Sequence, residues 1–231
     1  MRDLDFFQRR FNPVSSSICF VNAPIEKIAP FWLKWNNDIF CELGWQVKFE
    51  EINGTLEDKL LALLPLNGRK NLLTETGDGG VAYFANHPSS PAIECEPGLW
   101  CETFKLRQIW IMCDDIKPGD AIGSVQFNYF DYAVTPRKQR IVYAYKDGRW
   151  SFNQHWEPLP FEDLEAYKEK RIRDRLTPEM VERYCQEFGI NPYDTDFYKG
   201  RAYIMSLRPY PDFRELLEYP NQQTTSVDPR S

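Results

Sequence analysis

Residues 140–156 read RIVYAYKDGRWSFNQHW and contain the clearest hairpin signal in the chain. Apolar and polar residues alternate on both sides of the sequence KDGR. An Asp-Gly pair is a preferred turn between two antiparallel strands. The stretch therefore predicts two neighbouring antiparallel strands, over residues 140–145 and 150–156.

Similar alternation predicts further strands, several of them bounded by turn-forming residues. Residues 71–76 and 81–86 flank the sequence GDGG, which is a second hairpin signal. Four more strands are predicted from period-two alternation or from short apolar runs, over residues 16–21, 45–52, 107–113 and 122–132.

Apolar residues at helical spacing predict helices between these strands. One helix runs from Ile25 towards Gly44, and a second begins after Thr55 as its N-cap and reaches Leu64. A third, shorter helix is predicted over residues 99–105, after a loop that contains three prolines. Hairpins with interspersed helices indicate an α+β fold, built on one mostly antiparallel sheet with helices packed on it.

The last third of the chain predicts a helical segment and a returning strand. Apolar spacing predicts one helix over residues 161–175, and the sequence TPE at 177–179 predicts the start of another. We therefore expect a single α+β domain over residues 1–220. Its parts are a β-rich body over 1–157, a helical cap over 158–190 and a returning strand over 200–208, and a flexible tail over 221–231 follows.

The net charge of −6 is unevenly distributed along the chain. Residues 1–136 contain 12 Lys and Arg against 18 Asp and Glu, whereas residues 137–231 contain 16 of each. An acidic field repels phosphate backbones and attracts basic proteins, so a nucleic-acid partner is not expected. The acidic side chains that we predict to face a basic partner are Glu50, Glu51, Glu57 and Asp58, followed by Glu94, Glu96 and Glu102.

The apolar segments and the cysteines indicate a cytoplasmic protein. No segment reaches the ~18 apolar residues that cross a bilayer, and the first residues contain no apolar core of a secretion signal. We therefore expect no membrane partner. The six cysteines form no CxxC pair, and without a secretion signal we expect them to be reduced thiols.

Residues with catalytic potential are few. His87 lies near Cys95 and Cys101 in the sequence, and a thiolate nucleophile needs an adjacent base, so a Cys/His enzyme is one alternative. The spacing of Cys and His does not match a zinc site, and we predict no metal, no cofactor and no catalytic residue.

Several short stretches resemble a family of uncharacterised bacterial proteins, a type associated with the immunity partners of secreted toxins. They are VAYFAN at 81–86, GRWSF at 148–152, the run over 161–167, RIRDR at 171–175, TPE at 177–179 and GI at 189–190. The resemblance implies a stand-alone cytosolic protein and assigns no site residue.

These observations together predict a protein-binding protein without catalysis. The most specific expectation is an immunity protein that neutralises a basic bacterial toxin such as a nuclease, since complementary charge accelerates association. The 7 Trp, 12 Tyr and 16 Phe would supply core rings and interface anchors. The other alternative is a small-molecule binding protein with an aromatic-lined pocket.

Overall fold

The computed structural model describes residues 2–3, 7, 10–12, 14–66, 68–86, 92–114 and 122–209, without the side chains of 92–95, 122, 208 and 209. The His87 position, the Cys95 and Glu94 side chains and the predicted tail over 221–231 therefore lie outside the described residues.

The described residues form a nine-stranded sheet and four α-helices. The strands are β1 (Ser17–Val21), β2 (Trp45–Ile52), β3 (Arg69–Glu75), β4 (Val81–Ala85), β5 (Arg107–Cys113), β6 (Ile122–Asp131), β7 (Lys138–Asp147), β8 (Arg149–His155) and β9 (Ala202–Pro209). The helices are α1 (Ile25–Glu42), α2 (Leu56–Leu61), α3 (Ala92–Phe104) and α4 (Pro178–Gln186).

The sheet has the strand order β2-β9-β3-β4-β1-β5-β6-β7-β8, and every pair of neighbours is antiparallel. This confirms the predicted α+β class with a mostly antiparallel sheet. The hairpin predicted around Gly148 is β7 and β8, and β9 inserts between β2 and β3.

The two faces of the sheet are covered to different extents. On the first face, α2, α4 and residues 158–198 pack over rings and aliphatic side chains that come from both halves of the sheet, such as Phe84, Phe127 and Val142. On the second face, α1 and α3 enclose a smaller apolar cluster around Trp32 and Trp100. The buried strand residues of that cluster come from β1, β3, β4 and β9. The second face of β6, β7 and β8 contributes no residue to either of these two clusters, although Phe130 of β6 is buried there.

The local signals for helix starts were informative. Thr55 caps α2 in a capping box with Asp58, and Thr177 caps α4 by accepting a hydrogen bond from the Met180 N–H. A capping side chain satisfies backbone N–H groups that have no partner inside the helix, so these residues mark the first turns.

Two predicted elements differ from the structure. The prediction of one helix over 161–175 is wrong, because that segment folds as turns with two short 3-10 helices, Ala166–Lys168 and Ile172–Asp174. In this conformation Tyr167 and Leu176 are both buried, and Glu162 accepts hydrogen bonds from Arg140 and from the Leu159 N–H. One continuous helix would place Tyr167 and Leu176 on opposite sides. Helix α3 begins at Ala92 and contains Pro97, so it starts earlier than the predicted residue 99.

Among the described residues, no helix combines the length and the apolar character that crossing a bilayer requires.

Candidate functional site

The acidic residues predicted to face a partner do not form one surface. Glu50 and Glu51 are consecutive in β2, so their side chains point to opposite sides of the sheet. Both are exposed, and Glu50 forms an ion pair with Lys48 at 2.8 Å. Part of the negative charge at this edge is therefore balanced locally.

Glu57 and Asp58 lie in the first turn of α2 and line a different cleft from Glu50 and Glu51. Glu57 pairs with Arg10 at 2.9 Å. Asp58 accepts hydrogen bonds from the Thr55 hydroxyl at 2.7 Å and from the Thr55 N–H at 2.9 Å, and these bonds lower the pKa of its carboxyl. Asp58 is exposed, but its carboxylate already stabilises the start of α2.

Glu96 is buried and does not belong to an exposed acidic surface. Its side chain is 2% exposed, and its carboxylate accepts hydrogen bonds from Trp32 Nε1 at 2.7 Å, Tyr83 Oη at 2.7 Å and Arg69 Nη2. Three donors from α1, β4 and β3 fix α3 against the sheet, which is a structural role. Glu102, on the same helix, is exposed.

Of the two cysteines predicted as candidate nucleophiles, Cys101 is buried, and the side chain of Cys95 lies outside the described residues. Cys101 is completely inaccessible, and burial raises the pKa of its thiol. Because the thiolate is the reactive form, this environment disfavours nucleophilic chemistry at Cys101. Within the described part of the chain, no three His, Cys, Asp or Glu side chains are grouped as metal ligands.

A second candidate site lies on the second face of β5–β8, beside the cluster under α1 and α3, which Trp110 borders. We call it the open face. It forms a hollow of about 620 Å³ with an apolar and aromatic floor and a polar rim, lined by Trp110, Met112, Asp114, Gly123, Ser124, Gln126, Asn128, Ile141, Tyr143, Tyr145, Lys146 and Asp147.

The register of the strands arranges the open face in rows that run across the sheet. Met112 lies opposite Gln126, which lies opposite Tyr143, which in turn lies opposite Asn153. A parallel row consists of Trp110, Asn128, Ile141 and His155. Directly opposite residues share one side of an antiparallel sheet, so apolar groups and side-chain amides alternate over this surface.

Aromatic rings form a continuous series beside the amides. The ring centroids of Tyr145 and Tyr143 are 5.7 Å apart, and Tyr143 stacks on His155 at 6.1 Å with an interplanar angle of 28°. The His155 ring in turn contacts Trp156 at 5.8 Å. Trp156 is 52% exposed, so the series ends in a large accessible ring at the edge of the sheet.

Hydrogen bonds hold the floor of the open face but leave its rings accessible. Trp110 Nε1 donates to Ser17 Oγ at 2.7 Å, and Gln126 Nε2 donates to Ser124 Oγ at 2.7 Å. No described residue bonds to the hydroxyls of Tyr143 and Tyr145, which are thus available to a bound molecule. At the rim, burial raises the pKa of the Asp114 carboxyl.

Sequence reasoning missed the open face because alternation does not show which side of a strand is covered. In β7, Val142 and Ala144 are buried, whereas Ile141, Tyr143 and Tyr145 are only half-buried. The three larger residues are alternate positions and therefore lie on one side of β7. This concentration of large side chains was the signal for the open face in the sequence. An unequal distribution of rings between the two sides of a strand indicates an uncovered face only once the helices have been placed.

No family model, no curated protein and no solved structure matches this chain.

Proposed function

We propose that this chain is a non-catalytic protein that binds another protein through the open face, and that it acts as an immunity-type protein that blocks a bacterial toxin. The observation that carries the proposal is a hollow lined by the half-buried side chains of Trp110, Met112, Tyr143 and Tyr145 on one sheet surface. Of these four, Trp110 alone packs against the cluster under α1 and α3, at the border of the hollow. Trp, Tyr and Met are enriched at the centres of protein interfaces, where burial of a few large side chains dominates affinity.

The charge of the open face favours a protein over a nucleic acid. Its rim carries Asp114 and Asp147 beside Lys146, so it offers no basic groove. Proteins that stack nucleobases on aromatic rings combine those rings with a positively charged channel for the backbone. A surface with amides, hydroxyls and rings suits a partner with polar and apolar groups and little local charge.

The exposed acidic residues have a second role in this proposal. Glu51, Asp58 and Glu102 are exposed, and the whole chain has a net charge of −6. Long-range attraction accelerates the encounter with a basic partner, whereas the desolvated centre of an interface determines how long the complex lasts. A basic toxin would therefore be attracted by the acidic side chains and held by the open face.

Affinity capture followed by reconstitution tests this proposal. A partner recovered with the wild-type chain should be lost with Tyr143→Ser/Tyr145→Ser and retained with Leu43→Ser, which removes an exposed apolar side chain far from the open face. With the purified partner, Glu51→Gln/Glu102→Gln should slow association at low salt and leave dissociation unchanged. A partner that binds the tyrosine variant as tightly as wild type would contradict the assignment.

A small-molecule ligand is the second candidate, because the hollow of about 620 Å³ is large enough for one. Pockets for small ligands usually enclose ~300–1,000 Å³ and combine apolar walls with a few polar groups. A ligand that binds here should raise the melting temperature of the wild-type chain and not that of Trp110→Ala. Such a shift without any protein partner would favour this candidate.

A further inference from the structure

The two edges of the nine-stranded sheet differ in how they are protected against pairing. Edge strand β2 carries Lys48, Glu50 and Glu51, and charged side chains of this kind discourage edge-to-edge association. Edge strand β8 begins with Arg149, and its central residues WSFNQ over 150–154 contain neither charge nor proline. The central part of β8 therefore lacks the charges that β2 carries along its length and that prevent a sheet from extending.

The outer side of β8 also has backbone groups to offer. Among the described residues, β8 forms ladder hydrogen bonds with β7 on one side, and no other backbone group bonds to it. The carbonyl of His155 alone is engaged from elsewhere, by Arg140 Nη1 at 3.2 Å. A row of unpaired N–H and C=O groups on an edge whose central residues are uncharged is a template for another strand.

We propose that β8 pairs antiparallel with β8 of a second copy of this chain, about a two-fold axis at Phe152, so that two nine-stranded sheets join into one. In this register, Ser151 of each copy lies opposite Asn153 of the other, which places a hydroxyl beside an amide. Trp150 likewise lies opposite Gln154, and Arg149 lies opposite His155, so no Lys or Arg faces another Lys or Arg. A two-fold interface must be self-complementary, and this sequence satisfies that condition.

Trp156, directly after β8, is a second unusual feature of this edge. It is 52% exposed and adopts a left-handed backbone conformation, with φ of 65°, which is rare for a bulky residue. The buried Arg140 fixes this conformation by donating to the Trp156 carbonyl at 2.6 Å. Local strain that the surrounding structure maintains is commonly associated with function.

The two-fold pairing brings Trp156 to a place with room for its ring. Trp156 follows His155 at one end of β8 and Gly148 precedes Arg149 at the other, so the two-fold pairing brings Trp156 of one copy near Gly148 of the other. Gly148 has φ of 65°, and a side-chain carbon added there would meet no atom within 4 Å. The exposed indole would therefore cover the open turn between β7 and β8 of the second copy, and the area that it buries would stabilise the dimer.

Charge distribution agrees with a second copy at this edge and not at the other. Residues 137–231, which include β7 and β8, contain equal numbers of basic and acidic residues, so two copies do not repel each other there. Strand β2 belongs to the part of the chain that carries the whole acidic excess. Opposite residues of antiparallel strands share a face, so the dimer would also join two open faces into one surface.

This inference rests on the β8 edge and does not depend on the proposed function. The first test is the molar mass of the wild-type chain in solution, measured by light scattering and by sedimentation over a wide range of concentration. We expect a reversible species of twice the 27.3-kDa chain. A chain that stays monomeric at every concentration would overturn the proposal.

Charge substitutions test the register. Ser151→Lys/Asn153→Lys places two pairs of like charges across the two-fold axis, so the dissociation constant should rise by about tenfold or more. Ser151→Glu/Asn153→Glu should do the same, and an equimolar mixture of the two variants should restore a dimer. Both positions face the side of β8 that is outside the cores, so the fold should persist, as far-UV circular dichroism will show.

The matched control adds the same charge at the other edge of the sheet. Gln46→Lys/Asn53→Lys changes two exposed residues in and beside β2 and should leave the dimer intact. Trp156→Ser should weaken the dimer without altering the register. Dimers that survive both charge variants, or charge variants that fail to recombine, would contradict pairing through β8.

Discussion

Arg140 and Glu162 form an ion pair whose side chains are 1% and 0% exposed, with Arg140 Nη2 and Glu162 Oε2 separated by 2.7 Å. All five N–H groups of Arg140 are used, because the guanidinium also donates to Gln154 Oε1 and to the carbonyls of His155 and Trp156. Glu162 accepts further hydrogen bonds from the Leu159 N–H and the Tyr167 hydroxyl.

This network of hydrogen bonds holds residues 158–190, which follow β8, against the first face of the sheet. Tyr167 and Tyr184 continue it, with their hydroxyl oxygens 3.1 Å apart, so it reaches α4. A buried ion pair contributes little net stability compared with apolar residues of similar volume, yet removal of one partner leaves an uncompensated charge. The network therefore determines where residues 158–190 dock more than how stable the protein is.

Glu162→Gln should destabilise the fold by about 3–5 kcal/mol, because it leaves the buried Arg140 guanidinium without its counter-charge. Urea unfolding followed by fluorescence measures the change. The control is Glu165→Gln, which breaks an exposed pair with Lys168 in the same segment and should cost less than about 1 kcal/mol. If the two substitutions lowered the free energy of unfolding by the same amount, the buried pair would contribute no more to stability than the exposed pair.

Lys59→Met should also destabilise the fold, by about 2–4 kcal/mol, since it leaves buried acceptors without a donor. Lys59 is completely buried, and its ammonium donates to Thr74 Oγ1 at 3.0 Å and to the carbonyls of Tyr198 and Gly200, each at 2.9 Å. Burial lowers the pKa of Lys59. Urea unfolding measures the change, and Lys48→Met on the exposed edge is the matched control. If Lys59→Met were as stable as that control, Lys59 would not stabilise the fold through these acceptors.

Stability should fall in acid partly through Glu75. Hydrogen bonds from the Arg201 guanidinium lower the pKa of Glu75 below its ordinary value of 4.5. A carboxyl with a lowered folded-state pKa contributes stability that is complete above the unfolded-state pKa and disappears as the pH falls through the folded-state value.

The variant Glu75→Gln should therefore be less stable than wild type at neutral pH, and the difference should shrink as the pH falls below about 4. Urea midpoints measured across this range test the sign. The control Glu187→Gln changes an exposed carboxylate and should give the same small difference at each pH. A gap between wild type and Glu75→Gln that stays constant into acid would be incompatible with this linkage.

Thiol labelling should distinguish the exposed cysteine from the buried ones. Cys41 is exposed, whereas Cys19, Cys101, Cys113 and Cys185 are buried, and burial raises the pKa of Cys113 to about 12. A short pulse of iodoacetamide on the native protein, followed by peptide mapping, should modify Cys41 and spare the four buried thiols until urea is added. The variant Cys41→Ser is the control for labelling at other sites. Rapid labelling of Cys101 in the native protein would support the Cys/His enzyme alternative.

The strands and most helices could be predicted because their signals are local. Alternation in β2, the turn around Gly148 and the caps Thr55 and Thr177 each act within a few residues. Such local signals could not show which of the acidic residues proposed to face a partner are exposed. Glu96 and Glu102 are six residues apart on one helix, yet the first is buried among three donors and the second is exposed.

The sequence by itself determined the α+β class, the turn between β7 and β8 and the acidic character of the first part of the chain, since periodicity, turn chemistry and charge are properties of short stretches. Only the tertiary structure decided that Glu96 is internal, that residues 158–190 dock through the Arg140–Glu162 pair and that the open face of β5–β8 lies outside the helical layer. The physical reason is that burial and hydrogen-bond partners are set by contacts between residues far apart in the chain.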